Sequence, residues 1–211
     1  MTFDKVTVPE EGEPVEVIDE ENDEFDDRSE HCLIIHRESG RPAGCVRLVP
    51  TFDSREKDPL PYEKHCYESL DENFINQLAL NRQQVCEISR LAVDAIFRRR
   101  PGEHSTRFGE LNGLDFSQQE QRTFSLIAVA CFLAATVLTE NTGRTNVFAM
   151  MEPFLPRLMN RSGIMFQRAG QNIDYHGTRA PYFITTQSAL TNMHPDLREL
   201  YQWIKTSIVP A

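Results

Sequence analysis

The sequence predicts a single domain of the α+β class, in which a mixed sheet is flanked by helices. Short β-like runs and helical stretches alternate along the 211 residues, and a chain of this length can bury about 70% of its unfolded surface. Neither a G-x-G-x-x-G motif nor a P-loop accompanies the alternation. A doubly wound nucleotide-binding fold is therefore disfavoured.

Hydrophobic spacing, turn residues and capping signals predict the elements in order. Runs at 31–36 and 43–49, separated by turn residues at 38–41, predict a β-hairpin. Ser117-Gln118-Gln119-Glu120 is a capping-box signature that predicts a helix to about residue 140. The other predicted elements are a loop with a short helix over 51–68, a Gly- and Arg-rich loop over 98–116, strands over 85–93, 146–151, 164–168 and 182–186, and helices over 71–80, 153–160 and 190–204.

The net charge of −10 is concentrated at the start of the sequence. Residues 1–30 hold 13 acidic and 2 basic side chains, whereas the remainder holds 19 and 20. A segment so rich in Glu, Asp and Pro cannot bury enough apolar surface to fold alone. We expect an acidic, flexible arm over 1–22 and a single domain over 23–211. Because the body is neutral, we expect no nucleic-acid partner.

The five cysteines are scattered without the paired spacing of a zinc site, and most lie in apolar runs. This pattern is typical of reduced, buried thiols in a cytoplasmic protein, and it predicts no metal site. The longest apolar run, 124–139, is short for a bilayer, and no charged-then-apolar leader opens the sequence. We expect no membrane span.

The segment 87–93, Glu-Ile-Ser-Arg-Leu-Ala-Val, sets a carboxylate and a guanidinium on an apolar strand. Charges are costly inside a core strand, so these are better explained by a pocket than by packing. Regular alternation puts Glu87 and Ser89 on one face and Arg90 on the other. If Glu87 and Arg90 line one pocket, a β-bulge must lie between them, and we expect a break near 90–94.

Two sets of motifs resemble known families. The order Asp23-x-x-Asp26, Gly44-Cys45-Val46-Arg47-Leu48-Val49-Pro50-Thr51 and Glu87-Ile88-Ser89-Arg90-Leu91-Ala92-Val93 resembles the acyl-homoserine-lactone synthases. The later Met151-Glu152-Pro153, Gly163, Gly170, Tyr175-His176-Gly177-Thr178-Arg179 and Pro181-Tyr182 resemble the exosortase-associated acyltransferases and the long-chain N-acyl amino acid synthases. These are branches of the GNAT-fold acyltransferases. The resemblance spans about 23–187 and implies a twisted, mostly antiparallel sheet flanked by helices, with one splayed strand pair.

The resemblance also implies a reaction. A fatty acyl group, of long chain, would pass from a thioester on acyl carrier protein or coenzyme A to the amine of an amino acid or related metabolite. Such chemistry needs proton removal from the amine, polarisation of the thioester carbonyl and close positioning of the reactants. No tightly bound cofactor is expected.

Site roles follow from the same resemblance. Glu87 would accept the amine proton, directly or through a water, and we group Ser89 and Arg90 with it as catalytic residues. Arg90 and Arg47 would hold a carboxylate, either of the substrate or of Glu87. The other expected substrate-binding residues are Asp23, Asp26, Tyr175 and Arg179, and the expected donor-binding residues are Val93, Arg98, Arg99, Arg100, Gly102 and Arg107. An acidic carrier protein would dock on the arginines of the last group.

Structural interpretations of these residues stay open. Glu87, Arg47 and Arg90 could form purely architectural ion pairs, and the arginine patch could be a solvated surface. The whole chain could also be a catalytically silent GNAT-like module that binds acyl carrier protein or a metabolite as a regulator. A cluster of Phe and Met side chains would suit an acyl tunnel as well as ordinary packing; its members are Phe148, Met150, Met151, Phe154, Met159, Met165 and Phe166.

Overall fold

The computed structural model describes residues 22–94, 97, 118–160 and 162–208. Its strands are β1 Glu30–Ile35, β2 Pro42–Pro50, β3 Val85–Val93, β4 Asn146–Met151, β5 Gln167–Arg168, β6 Ile173–Asp174 and β7 Thr178–Thr185. They form a seven-stranded sheet in the order β1-β2-β3-β4-β7-β5, with β6 paired to β7. The β3–β4 pair is parallel and the other pairs are antiparallel. The predicted α+β class is confirmed.

Helices cover both faces of the sheet. They are α1 Pro61–His65, α2 Glu72–Leu78, α3 Gln118–Asn141, α4 Leu155–Asn160, α5 Thr186–Asn192 and α6 Pro195–Ser207, with 3-10 turns at Asp26–Arg28, Tyr67–Ser69 and Arg82–Gln84. Side chains cap some of them: Asp71 accepts from the amide of Phe74 at the start of α2, and Thr185 accepts from the amide of Ser188 at the start of α5. None of these helices is long and apolar enough to cross a bilayer.

The sheet separates two apolar cores because side chains alternate along each strand. One core lies under α3 and includes Leu48, Cys86 and Ile88. The other lies on the opposite face, where Phe148 and Phe183 pack with residues of the α1 and α2 region. Charged side chains of β2 and β3 on this second face meet α1 or the 23–26 segment rather than the long helix.

The parallel β3–β4 pair is splayed. Only Val85, Cys86 and Glu87 of β3 pair with β4, opposite Asn146, Val147 and Phe148. By contrast, β4 remains paired with β7 over all six of its residues. The two strands therefore part after Glu87, which confirms the splayed pair that the resemblance implied.

Some element boundaries differ from those predicted. The single helix over 190–204 is wrong: α5 ends at Asn192 and α6 begins at Pro195, after two extended residues. Proline has no amide hydrogen and restricts the residue before it, so it begins a new helix here rather than continuing the old one. The strand over 164–168 is shortened to Gln167–Arg168. The strand predicted over 182–186 instead begins at Thr178 and contains Pro181.

Two predicted segments lie outside the described residues. These are the loop over 98–116 and, except for Asn22, the acidic arm over 1–22.

Candidate active site

Strand β3 carries a β-bulge at Arg90. Cys45 of β2 lies opposite Ala92, whereas Arg47 lies opposite Ser89, so β3 has one residue more than β2 in this interval. Arg90 has a φ of 49°, in the left-handed region that few residues other than glycine adopt. The extra residue reverses the alternation, and the side chain of Arg90 lies on the same face as Ser89. The break expected near 90–94 is therefore present at Arg90.

Arg47 and Arg90 meet two aspartates on this face. Nη1 of Arg47 donates to Asp23 Oδ1 at 2.8 Å and to Asp26 Oδ1 at 2.7 Å. Arg90 donates through Nη1 to Asp26 Oδ2 at 2.9 Å and through Nη2 to Asp23 Oδ2 at 3.0 Å. Nε of Arg47 donates to Ser89 Oγ at 3.0 Å. The two arginines therefore hold the 23–26 segment against the sheet.

Both aspartates of this cluster are ionised at neutral pH. Burial by itself would raise the pKa of Asp23 and of Asp26, but the pKa of each lies below its ordinary value. Hydrogen bonds from Arg47 and from backbone amides, together with the charges of Arg47 and Arg90, outweigh the desolvation. The pKa of Arg47 is raised despite burial, because the same two carboxylates accept from it. The cluster is therefore internally neutralised.

Glu87 lies two residues before Ser89 on the same face and is 3% exposed. Its Oε2 accepts a hydrogen bond of 2.8 Å from the backbone amide of Tyr62. Burial raises the pKa of Glu87 to about 8, although the Tyr62 amide and the charge of Arg47 act in the opposite direction. A carboxyl group with this pKa is matched to proton transfer near neutral pH.

The amide that binds Glu87 belongs to the first turn of α1. First-turn amides have no partner within their helix, so this one is available to a carboxylate. Glu63 caps the same turn by accepting from the amide of Leu60 at 2.8 Å, and Arg82 donates to Glu63 at 2.7 Å. The ring of Tyr62 stacks on Phe148 with centroids 4.9 Å apart. Helix α1 thereby forms a cover over Glu87.

A second group of side chains surrounds this cover. Burial raises the pKa of the Cys66 thiol to about 11, with the Glu87 charge acting in the same direction and Arg179 in the opposite one. The ring of Tyr175 stacks on His65 with centroids 6.2 Å apart. Nε of Arg179 is buried and has no hydrogen-bond partner among the described residues. Arg179 is thus a cation near Cys66 whose buried Nε has no partner in the part of the chain that the structure describes.

The structure brings most of the predicted site residues to one face. Val93 is the last residue of β3, is buried and lies opposite Gly44. The predicted donor-binding residues Arg98, Arg99, Arg100, Gly102 and Arg107 lie outside the described residues. Sequence reasoning missed Tyr62, His65 and Cys66. For Tyr62, the available signal was Pro61, which is typical of the first position of a helix and so indicates that the next amides have no partner within the helix.

On the α3 face of the sheet, the opening between β3 and β4 is apolar. A cavity of about 40 Å³ lies where β3 and β4 part, on the α3 side. Its lining comprises Ile88, Phe132, Ala135, Thr136, Thr139, Val147, Ala149, Ile164, Phe166, Ile184, Thr186 and Ala189. Of the Phe and Met side chains that the sequence suggested for an acyl tunnel, only Phe166 lines it. Phe148 instead packs on the Glu87 face, and Met165 is exposed.

Within the described ranges, no cluster of His, Cys, Asp or Glu side chains is arranged to hold a metal ion.

Comparison with known proteins agrees with this architecture. A family model described as "Acetyltransferase (GNAT) domain" matches residues 6–106. The solved structure of TofI in a ternary complex with an inhibitor and MTA superposes with a TM-score of 0.55 at 20% identity, over 84% of this chain and 77% of that one. This chain has a GNAT fold. Apo TofI gives a TM-score of 0.53 at 20% identity, over 84% of this chain and 81% of TofI.

Another solved structure is a more distant match. FeeM, an N-acyl amino acid synthase from uncultured soil microbes, gives a TM-score of 0.49 at 11% identity, over 82% of this chain and 75% of FeeM. No curated protein sequence matches the chain significantly. In this sheet, β3 and β4 part directly after Glu87, and the bulge at Arg90 follows three residues later.

Proposed function

We propose that this protein is an N-acyltransferase. It moves a fatty acyl group from a thioester of acyl carrier protein or coenzyme A to the amine of an amino acid or related metabolite. The observation that best supports this proposal is Glu87, a buried carboxyl group with a pKa of about 8, at the point where β3 and β4 part. A base of this strength beside an open strand edge suits removal of an amine proton.

The gap between the strands is the proposed site of the donor thioester. Beyond Glu87, the edge of β3 that faces β4 has no partner strand within the described residues. A pantetheine arm, which carries amide groups, can pair with such an edge as an extra strand does. Backbone N–H groups near the bulge at Arg90 would then donate to the thioester oxygen as it becomes negative.

The acceptor is proposed to bind on the Glu87 face. The buried Nε of Arg179 has no partner among the described residues, and its guanidinium offers a cation for a carboxylate. The partly exposed ring of Tyr175, stacked on His65, forms an adjacent wall. The cluster of Arg47, Arg90 and their aspartates keeps its own pairs, so its proposed role is to fix the 23–26 segment beside the acceptor rather than to bind the carboxylate.

Transfer is proposed to be direct. The acceptor nitrogen forms a bond to the thioester carbon, and its proton passes to Glu87. The carbon–sulfur bond then breaks, and Glu87 returns the proton to the departing thiolate, which leaves as a thiol. Cys66 is no competing nucleophile, because a thiol with a pKa of about 11 is almost entirely protonated at neutral pH. Since Glu87 is 3% exposed, a water molecule is proposed to relay the proton beneath α1.

The test is a transfer assay on the purified protein. Acyl-coenzyme A and acyl carrier protein substrates of graded chain length are offered with a mixture of amino acids, and products are read by mass spectrometry alongside thiol release. We expect N-acyl amino acids in equal amount to released thiol. Glu87→Gln should lower kcat about 100-fold or more, while Glu68→Gln, a change at an exposed neighbouring carboxylate, should leave it unaltered.

Two outcomes would overturn the proposal. One is a Glu87→Gln variant that transfers acyl groups at the wild-type rate. The other is thermal stabilisation of the wild-type protein by acyl thioesters without any product, which would identify the silent regulatory module instead.

A further inference from the structure

The cavity where β3 and β4 part is lined by threonines whose hydroxyl groups are already paired. Thr136 and Thr139 donate their hydroxyl hydrogens to carbonyl groups within α3, and Thr139 also shares a hydrogen bond of 2.8 Å with Thr186. These hydroxyls are already paired, so the surface that they leave towards the cavity is mainly methyl. An occupant of this space must therefore be hydrocarbon.

The cavity is small. Its volume is about 40 Å³, whereas a cavity of roughly 150 Å³ is needed to bind the six carbons of benzene. By this comparison the space accepts roughly two carbons. A longer acyl chain cannot enter unless part of the wall moves, since close-packed interiors have no spare volume.

One side chain lines both this cavity and a larger space outside. A surface pocket of about 260 Å³ is lined by Pro156, Arg157, Asn160, Met165 and Phe166. Phe166 also lines the inner cavity, where its ring meets Phe132 edge to face with centroids 6.4 Å apart. Its ring is half-buried and lies in the short segment just before the two-residue strand β5. Phe166 is the side chain that the two spaces share.

We propose that Phe166 sets the length of the acyl chain, an inference that rests on the proposed acyltransferase function. With the ring in place, only a short acyl tip fits beside Ile88. When the ring turns away, the inner cavity opens into the outer pocket, which has room for roughly ten further carbons. The donor is then a medium or long acyl thioester whose tail passes between α3 and the sheet and emerges at α4.

The experiment compares butyryl and decanoyl thioesters of pantetheine, whose arm is common to coenzyme A and acyl carrier protein. Affinity is measured by calorimetry and transfer by kcat/KM. Phe166→Ala should raise the decanoyl-to-butyryl ratio about 10-fold, because the obstructing ring is removed. Phe166→Trp should lower the ratio by a similar factor. Phe52→Ala, at an exposed phenylalanine that lines neither space, should leave the ratio within about twofold. The expected factors follow from roughly 0.8 kcal/mol per buried methylene.

The result separates this inference from the proposed function. Unchanged ratios in both Phe166 variants, with wild-type circular dichroism, would overturn the role of Phe166 while leaving acyl transfer intact. If no variant transfers an acyl group, the proposed function fails, and the calorimetric ratios still decide whether Phe166 limits the chain.

Discussion

Glu87 and Arg90 lie on the same face of the sheet, although their spacing of three residues would put them on opposite faces of a regular strand. The bulge at Arg90 accounts for this, because it inserts one residue opposite β2 and gives Arg90 a φ of 49°. As a result, a buried carboxyl group and a network of paired charges share one surface. A left-handed residue other than glycine carries a conformational cost, which the hydrogen bonds from Arg90 to Asp23 and Asp26 offset.

Activity should depend on pH through Glu87. A base must be deprotonated, so kcat should fall about tenfold per pH unit below the pKa of Glu87, which lies at about 8. The acceptor amine titrates in a similar range, and Glu87→Gln separates the two effects. This variant should lose the limb that belongs to the carboxylate. A profile of identical shape in both proteins would contradict the assignment.

The stability of the fold should also depend on the protonation of Glu87, but it should fall with rising pH whereas activity rises. The folded protein keeps the Glu87 proton up to a pH of about 8, whereas the unfolded chain releases it near the ordinary value of 4.5. The free energy of unfolding should therefore decrease as pH rises through this window and level off above it. Glu87→Gln lacks this loss and should gain up to a few kcal/mol relative to wild type at pH above about 8. Urea titrations across this range measure the difference.

Asp26→Asn should destabilise the fold. It removes the carboxylate that Arg47 and Arg90 share, and the Arg47 side chain is only 3% exposed. We expect a loss of about 1–3 kcal/mol at neutral pH in chemical denaturation. Because the pKa of Asp26 is lowered from 3.8, its contribution is present above that value and disappears as pH falls through the folded pKa. Asp27→Asn, at an exposed neighbour, is the matched control and should cost almost nothing.

Arg179→Gln should weaken binding of acceptors that carry a carboxylate. The guanidinium of Arg179, whose buried Nε has no partner among the described residues, is expected to pair with that group. The KM for an amino acid should therefore rise about 10-fold or more with a smaller change in kcat. The decarboxylated amine of the same amino acid should be used equally well by both proteins. Arg168→Gln, at an exposed arginine of β5, serves as the control. Equal losses with both acceptors would assign Arg179 a structural role.

Gly170→Ala should loosen the cover over Glu87. A Cβ atom at this position would lie 2.0 Å from the carbonyl oxygen of Ser69, where Leu70 bridges to Gly170 and attaches the α1–α2 segment to the sheet. We expect a loss of about 2–3 kcal/mol in unfolding free energy and a lower midpoint of the pH–rate profile as Glu87 becomes hydrated. Gly143→Ala, with a φ of 69° and no atoms within 4 Å, should cost about 1 kcal/mol without shifting the midpoint.

Part of this arrangement could be predicted from local sequence signals. The bounds of β3 match the prediction, because Val85 to Val93 form an apolar run between polar segments. The long helix α3 also matches, since a capping signature precedes a long apolar stretch. The bulge was predicted from strand geometry, because side chains three residues apart on a strand can line one pocket only if a bulge lies between them. Its residue of positive φ is invisible in the sequence, because Arg90 has no special preference for that conformation.

Other parts of the site could not be predicted. The amide of Tyr62 binds Glu87, and a backbone donor has no residue-type signature. The partners of Arg47 were ambiguous, because the chain offers many carboxylates and only the fold brings Asp23 and Asp26 across more than twenty residues of sequence. The break between α5 and α6 was missed because the apolar spacing continues through Pro195. The first two features depend on contacts between segments distant in sequence, which local sequence patterns do not reveal.

Three residue pairs join β3 to β4, whereas six join β4 to β7. The sheet therefore has two parts, β1–β2–β3 and the strands from β4 onward, which are joined only by the short β3–β4 pairing. Amide hydrogens in the β3–β4 pairing should exchange with solvent before those within either part of the sheet. The opening at which we propose that the donor thioester enters is thus also where we expect the sheet to separate most readily.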